Sequence, residues 1–404
     1  MYADLYYRTR SYADLASCMI RGMPGRVNRM VAAILLGLTV SLFAQTDNRA
    51  KARALIERAD AAAQAGRAAE AITLLEAAER EAPDWPELKV NLSAARSSAG
   101  DFKGAAAAAR AALALNPSLD GARFNLGIAL LKSGDASGAA VALAPYATEP
   151  APPAVHAALG LAWMQLHREA EAAPVLQRSI DAGVRDRDVL LAAGRAWLRT
   201  ENMDNARIAG RLLESAAPSW IETQMLLGDV ADAGQDWARA AAHYKAAIQL
   251  DAAAAQPRFS LGLALYKERA YDEAAAAFQK AISLNPSHVS AHYYVGVLEL
   301  DRGNAQRALG LLERATSLDP SRADIARDLG RAHLDTDHPQ EAVRSLQRAI
   351  ERAPEDASAW FLYARALKKA GRAEESRTAQ ARAVELNQLL RDRLLKQVSG
   401  IKKK

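Results

Sequence analysis

Residues 255–288 read AQPRFSLGLALYKERAYDEAAAAFQKAISLNPSH, and this stretch decides the fold. It holds two helices: the first carries Gly262 midway, the second carries Ala274 and Ala281, and Glu268, Arg269 and Ala270 form the turn between them. Pro286 stops the second helix, because proline drives the residue before it, Asn285, away from helical angles. The pattern recurs along the chain. Gly127, Gly160, Gly194, Gly228, Gly262, Gly296 and Gly330 stand thirty-three residues apart once and thirty-four apart five times. A period of this length marks one supersecondary unit that cannot bury its own apolar face and must stack on its neighbours.

Extending the period gives ten repeats, beginning at Ala52, Pro86, Asp120, Pro153, Arg187, Ile221, Ala255, Val289, Ala323 and Ala357, with only the third one residue short. Twelve residues beyond each glycine register stands a small residue, from Ala71 through Ala342 to Ser376. Seven further on most repeats place alanine again, as at Ala247, Ala281 and Ala315. On two antiparallel helices, a glycine or alanine midway along the first lets the second approach closely, with the second helix's alanine on the facing side.

On these residues the chain resembles the tetratricopeptide repeat proteins. Within 255–288 the signature positions hold Leu261, Gly262, Ala274, Phe278, Ala281 and Pro286, and Trp360 holds the signature tryptophan place in the tenth repeat. The resemblance covers 52 to about 390. It implies an all-α fold: a right-handed superhelical solenoid of about ten helix-turn-helix repeats with a C-terminal capping helix, whose work is to bind a protein or peptide in a concave groove. The sequence departs from the pattern at Val184, where the fourth repeat lacks its proline, at Gly210 and Leu213 in the fifth, and at Ala364, Ser376, Gln380 and Gln388 in the tenth.

At 404 residues a globular chain would divide into two or three domains, whereas a solenoid grows by adding repeats. A net charge of +5 is small for this length, and no arginine stripe interleaves with aromatics, so nucleic acid is not an expected partner. Ahead of the repeats, Arg26 and Arg29 precede an apolar run at 31–43 and then Ala44, the order of a secretory signal cleaved after Ala44. The run is too short to span a bilayer comfortably. Leu42, three residues before the cut, is not the small residue preferred there, so an uncleaved inner-membrane anchor stays open. On this reading 1–44 is an extension plus signal peptide, 45–51 a short linker, and the mature chain periplasmic or secreted. Residues 1–22 lengthen the region before the signal and point to Met23 or Met30 as the start. Cleavage removes the only cysteine, Cys18, together with five arginines and two acidic residues, and leaves a net charge of +2.

No enzyme is legible, and neither cofactor nor metal is expected. His288 and His292 stand four apart, but their register places them as a surface pair rather than as metal ligands. The register glycines lie inside helices and not in a phosphate loop, and the serial carboxylates form no acid/base pair.

In the family that this chain resembles, the second, fifth, ninth and twelfth residues of each first helix line the concave surface. Repeats three and four offer Phe124, Ile128, Leu131, Leu161 and Met164. The candidate site is a peptide groove anchored on Phe259, Tyr266 and Tyr293, with an acidic patch at Asp229 and Asp232 on one side. A basic patch at Arg327, Arg331 and Arg365 lies on the other, with Phe361 and Lys368 beside it. Equally open is that the rings fill crevices between successive helices and the arginines pair with neighbouring acids. The chaperone-tail form of the groove needs lysine and asparagine at the fifth and ninth places, which hold Ile56 and Asp60, Val90 and Ala94, and Phe124 and Ile128.

Pro145, Pro150, Pro152 and Pro153 place an expected hinge at 145–153, and Pro174 interrupts the next helix. The last helix lacks its terminating proline and is expected to run past Leu386, Leu389, Leu390, Leu394 and Leu395 to about Val398, capping the array or pairing with another copy. A basic tail follows at Lys402, Lys403 and Lys404, so that 391–404 is the helix end and tail. The expected function is an exported, non-enzymatic scaffold for a protein or peptide in envelope assembly or secretion. A polysaccharide-associated scaffold of an export complex and a membrane-anchored adaptor are the alternatives.

Overall fold

The computed structural model describes residues 47–401, all of them in helices and the turns between, with no strand among them. Contacts divide the chain at Val184 and Arg185 into two compact bodies. In the first, α1 (47–64), α2 (Ala68–Glu81), α3 (Pro86–Ser98), α4 (Phe102–Leu115), α5 (Asp120–Lys132), α6 (Ala136–Leu143), α7 (Pro153–Gln165) and α8 (Glu169–Asp181) form four consecutive hairpins. In the second, α9 (Arg187–Arg199), α10 (Met203–Ala216), α11 (Ile221–Ala233), α12 (Trp237–Leu250), α13 (Ala255–Lys267), α14 (Tyr271–Leu284), α15 (Val289–Asp301), α16 (Ala305–Leu318), α17 (Ala323–Asp335), α18 (Pro339–Arg352), α19 (Ala357–Lys369) and α20 (Ala373–Ile401) form six. From Pro86 onward, every first helix starts on the residue at which the sequence period starts its repeat. The first repeat differs. Its helix is already formed at Asp47, so residues 47–51 of the expected linker are helical. The signal-like segment 1–44 lies outside the described residues.

Each hairpin turns on one left-handed residue at the fifteenth place of its repeat. Glycine fills it at Gly66, Gly100, Gly134, Gly303 and Gly371, and His167, Glu201, Gln235, Arg269 and Asp337 hold it with φ of 55–64°. The following helix is commonly capped by an Asp side chain: Asp101 accepts from the Gly104 amide at 2.9 Å, Asp135 from Gly138 at 2.8 Å and Asp236 from Arg239 at 3.1 Å. Asn285 and Asp319, each ahead of a proline, are extended and end α14 and α16.

The register glycines do more than admit a facing alanine, which corrects the expectation above. Sixteen residues after each, a large side chain of the second helix lies over the glycine: Leu143 over Gly127, Leu176 over Gly160, Tyr244 over Gly228, Phe278 over Gly262, Leu312 over Gly296 and Leu346 over Gly330. The glycine is the hole and the large side chain the knob, and the alanines at 274 and 281 are fully buried beside it. The fifth repeat has Gly210 where its knob would stand. Its hole at Gly194 is filled instead by Leu226 of α11, and Leu227 covers Gly210.

In the third repeat, Pro145 ends α6 early and the chain continues as a 3-10 turn, Ala144–Ala147. Tyr146 plugs this turn into the first body at 2% exposure, edge-on to Phe124 at 4.6 Å and donating to Asp120. The expected hinge segment is therefore tied at its start. Pro174 sits inside α8, which continues unbroken to Asp181. At the other end, α20 is 29 residues long beside an α19 of 13. Among the described residues no helix is long and apolar enough to cross a membrane.

Candidate functional site

The aromatic positions expected to anchor a ligand form one cluster inside the second body. Phe259 is only 8% exposed, with ring centroids 5.5 Å from Phe278, 4.5 Å from His288 and 6.1 Å from Tyr294. Its placement corrects the anchor reading: it is a core ring. Tyr294 is the hub, stacked on Phe278 at 5.2 Å and edge-on to Tyr266 at 5.5 Å and Tyr293 at 5.3 Å. It occupies the sixth place of its helix, outside the four groove positions, and so escaped the sequence reading. Tyr266 is half-buried, and desolvation raises its pKa. Tyr293 donates to Asp328 at 2.9 Å while the Arg322 guanidinium lies 4.9 Å from its ring, and burial followed by the Asp328 charge pushes the phenol well above its usual range.

Four of the five charged positions are likewise engaged by other side chains. Asp229 accepts from Tyr244 at 2.8 Å, and burial raises its pKa. Asp232 pairs with Lys267 at 2.6 Å. Arg327 reaches both Asp328 at 3.0 Å and Asp356 at 3.1 Å; burial works against its charge, yet the two carboxylates hold its pKa above the usual value. Arg331 pairs with Asp301 at 3.1 Å. The Asp232–Lys267 and Arg331–Asp301 pairs link neighbouring repeats, while Asp229 and Arg327 are engaged within their own, so the structure supports the pairing alternative for these residues over an open acidic and an open basic patch. Asp328, 8% exposed and shared by Tyr293 and Arg327, is the residue that sequence reasoning missed. It occupies the sixth place of α17, outside the four groove positions, and carries no visible signal, because a buried aspartate looks like a surface one in sequence.

The histidine pair is also not a surface pair. His292 is 8% exposed and its Nε2 lies 3.1 Å from the Pro286 carbonyl, which requires the proton on Nε2. His288 caps α15, its Nδ1 accepting from the Ala291 amide at 3.3 Å. Trp360 makes the same reach as His292 two repeats later, donating to the Pro354 carbonyl at 2.9 Å. Both ring donors occupy the fourth place of a first helix and satisfy the carbonyl of the proline that ends the preceding repeat. No group of three metal-ligating side chains exists among the described residues.

Two stretches of candidate positions stay accessible. In the first body, Phe124, Ile128, Leu131, Leu161 and Met164 are partly exposed and form an uncharged set. In the second, Phe361, Arg365 and Lys368 share one face of α19 at i, i+4 and i+7. Phe361 is 46% exposed, and Arg365 and Lys368 are exposed with no ion pair among the described residues. Lys368 opens on a cleft of about 780 Å³ against α20, lined by Ser376, Arg377, Gln380, Val384, Gln388 and Glu385, the last paired with Arg382 at 2.7 Å. Ser376 donates to the Ala364 carbonyl at 2.8 Å, so the small residues of this repeat still join its two helices.

The family model named tetratricopeptide repeat matches residues 42–86, 93–155, 225–287, 259–323 and 327–388, most of the chain. The chain belongs to the tetratricopeptide repeat family. Among solved structures, it is similar to pilF of Pseudomonas aeruginosa at 19% identity over 50% of this chain and 91% of that one, with a TM-score of 0.46. It is similar to yeast Tom70 at 14% identity over 87% and 96%, with a TM-score of 0.38, and to MamA of Desulfovibrio magneticus at 19% over 42% and 95%, with a TM-score of 0.39. A comparison with curated protein sequences found no match. The matched stretches fall in both bodies, and the open positions on α19 and α20 belong to the last repeat.

Proposed function

We propose that the chain is an exported, non-enzymatic repeat scaffold that seats an acidic polypeptide segment at its tenth repeat. The observation that carries this reading is the face of Phe361, Arg365 and Lys368, exposed and without an ion pair among the described residues, beside a cleft of about 780 Å³. That volume lies within the roughly 300–1,000 Å³ of ordinary ligand sites. The other charged candidates are already engaged by other side chains. A ligand would have to break the Lys267–Asp232 and Arg331–Asp301 pairs to use them, whereas Arg365 and Lys368 need only shed water. Covering the exposed half of the Phe361 ring contributes about 2 kcal/mol at roughly 25 cal/mol per Å², before the cost of ordering the ligand. Arg365 and Lys368 beside it select for carboxylates and set the direction in which the segment lies.

A photo-crosslinking residue placed at 361 tests the seat in the native host. The expected result is one dominant polypeptide partner that disappears when Arg365→Glu and Lys368→Glu are combined. Capture that survives the charge reversal would sink the reading.

Export rests on Arg26, Arg29, the run at 31–43 and Ala44. N-terminal sequencing of the protein recovered from fractionated cells checks it. Gln45 as the first residue supports an exported mature chain. An intact run at 31–43, recovered with membranes, supports the anchored adaptor instead.

A further inference from the structure

We infer that the cleft between α19 and α20 is the seat of an eleventh first helix, supplied by the acidic polypeptide partner in helical form. This deepens the seat proposed above and rests on that reading. Within each body, every later first helix is laid against the second helix of the repeat before it, and α19 touches both α17 and α18. The third residue of every first helix from α3 onward is buried, among them Leu88, Val155, Ile325 and Ala359. Ala359 shares a buried cluster with Ile350 of α18, and Trp360 packs on the same cluster. Ile350 is thereby left only 9% exposed.

The tenth repeat has the same shape without the filling. Val384 stands thirty-four residues after Ile350, at the same place of its helix, and is 46% exposed. Gln380 stands at the knob place of Leu346, yet it is exposed where Leu346 is fully buried. Between these two and Lys368 of α19 opens the cleft of about 780 Å³, which Ala373 and Ala381 also line. Small residues on that wall let a helix backbone approach closely.

The two walls together define the occupant. An α-helix, about 10 Å across, meets α19 and α20 at once, whereas an extended segment laid along Phe361, Arg365 and Lys368 leaves Val384 in water. Lys368 borders the cleft without an ion pair among the described residues, with Arg365 one turn before it. The other charges of the lining, Arg377 and Glu385, are engaged by Glu374 and Arg382. Carboxylates on the incoming helix therefore face cations. Over Val384 it presents a small residue followed by a bulky one, the order of Ala359 and Trp360 beside Ile350. A second copy joining through this same face would set Arg365 and Lys368 against like charges.

Photo-crosslinking residues placed separately at 361 and 384 test the inference in the native host. Both positions are expected to capture the same polypeptide, and the partner residues reached from 384 should recur at intervals of three or four. A synthetic peptide of the captured segment should gain helical circular dichroism on mixing with the full chain. Val384→Glu should weaken that peptide's binding about ten-fold or more, because it buries a carboxylate without a partner. An unchanged melting temperature would show that the substitution leaves the fold intact. Capture at 361 with none at 384, a peptide that binds and stays a coil, or binding that Val384→Glu leaves untouched overturns the helical seat while the acidic seat at Phe361 stands. Capture of a second copy of this chain at 384 overturns it as well. No capture at either position removes both readings together.

Discussion

The Phe278 ring lies so close to Gly262 that a Cβ built there would stand 2.5 Å from Cε1. No real carbon pair tolerates that distance, and Phe278 is fully buried with nowhere to go. Gly262→Ala is therefore expected to cost about 1–3 kcal/mol through overpacking. Gly310 in α16 has no atom within 4 Å of its absent Cβ, so Gly310→Ala should stabilise by about 0.5–1 kcal/mol. Urea titrations of the two variants should move in opposite directions; a shared direction would contradict the knob-and-hole account.

Arg269 turns its hairpin with a φ of 64°, where its neighbour in the next repeat uses Gly303 at 80°. A left-handed non-glycine residue costs about 1–2 kcal/mol, part of which glycine gives back as unfolded-state entropy. Arg269→Gly should raise stability by about 0.5–1 kcal/mol and Gly303→Arg lower it by at least as much. Thermal melts of both variants decide the point.

The Tyr293 hydroxyl donates to the buried carboxylate of Asp328. Tyr293→Phe should cost about 1–3 kcal/mol, since it strips a hydrogen bond from Asp328, while crosslinking at position 361 remains as in the parent. A stable variant that loses its partner would return Tyr293 to the binding surface.

His333 is 8% exposed, and burial lowers its pKa from the model-peptide value of 6.5. Between the depressed folded value and 6.5 the unfolded chain binds more protons, so stability rises with pH in that window. The contribution is complete above 6.5 and is lost as pH falls towards the folded pKa. His243 and His288 are shifted the same way by burial. Urea midpoints should fall from pH 7.5 to 5.5, and His333→Leu should flatten part of that slope. Asp229 works in the opposite sense at lower pH, its pKa being raised by burial.

Tyr146 fastens the turn after α6. Tyr146→Ala is expected to cost about 3–5 kcal/mol and to make 148–152 the first site cut by a protease of broad specificity. If the parent chain is cut there just as fast, the segment already opens and the proline-rich stretch acts as a hinge.

The period reported the architecture because repeats are held together by small residues and turns whose identity is local. Gly262, Ala274, Ala281 and Pro286 each state a backbone requirement that sequence displays directly. The candidate site was less legible. Groove positions follow from register, but whether Asp232 or Arg365 is engaged depends on Lys267, thirty-five residues from Asp232, and on carboxylates that none of the described neighbours of Arg365 supplies. Tyr266, Tyr293 and Phe361 look alike as aromatics at groove places; only packing separates the rings that meet Tyr294 from the one left in water.

Leu226 fills the hole at Gly194, so the fifth repeat is completed by a side chain that belongs to the sixth. Six other repeats own the knob that fills their glycine. The fifth does not. Truncating the chain between α10 and α11 would uncork Gly194 and uncover Gly210 together, and a sixth repeat grafted elsewhere would carry two leucines shaped for glycines it had left behind. This joint ties two repeats into one inheritable piece, and recombination that respects the thirty-four-residue period should still fail at it.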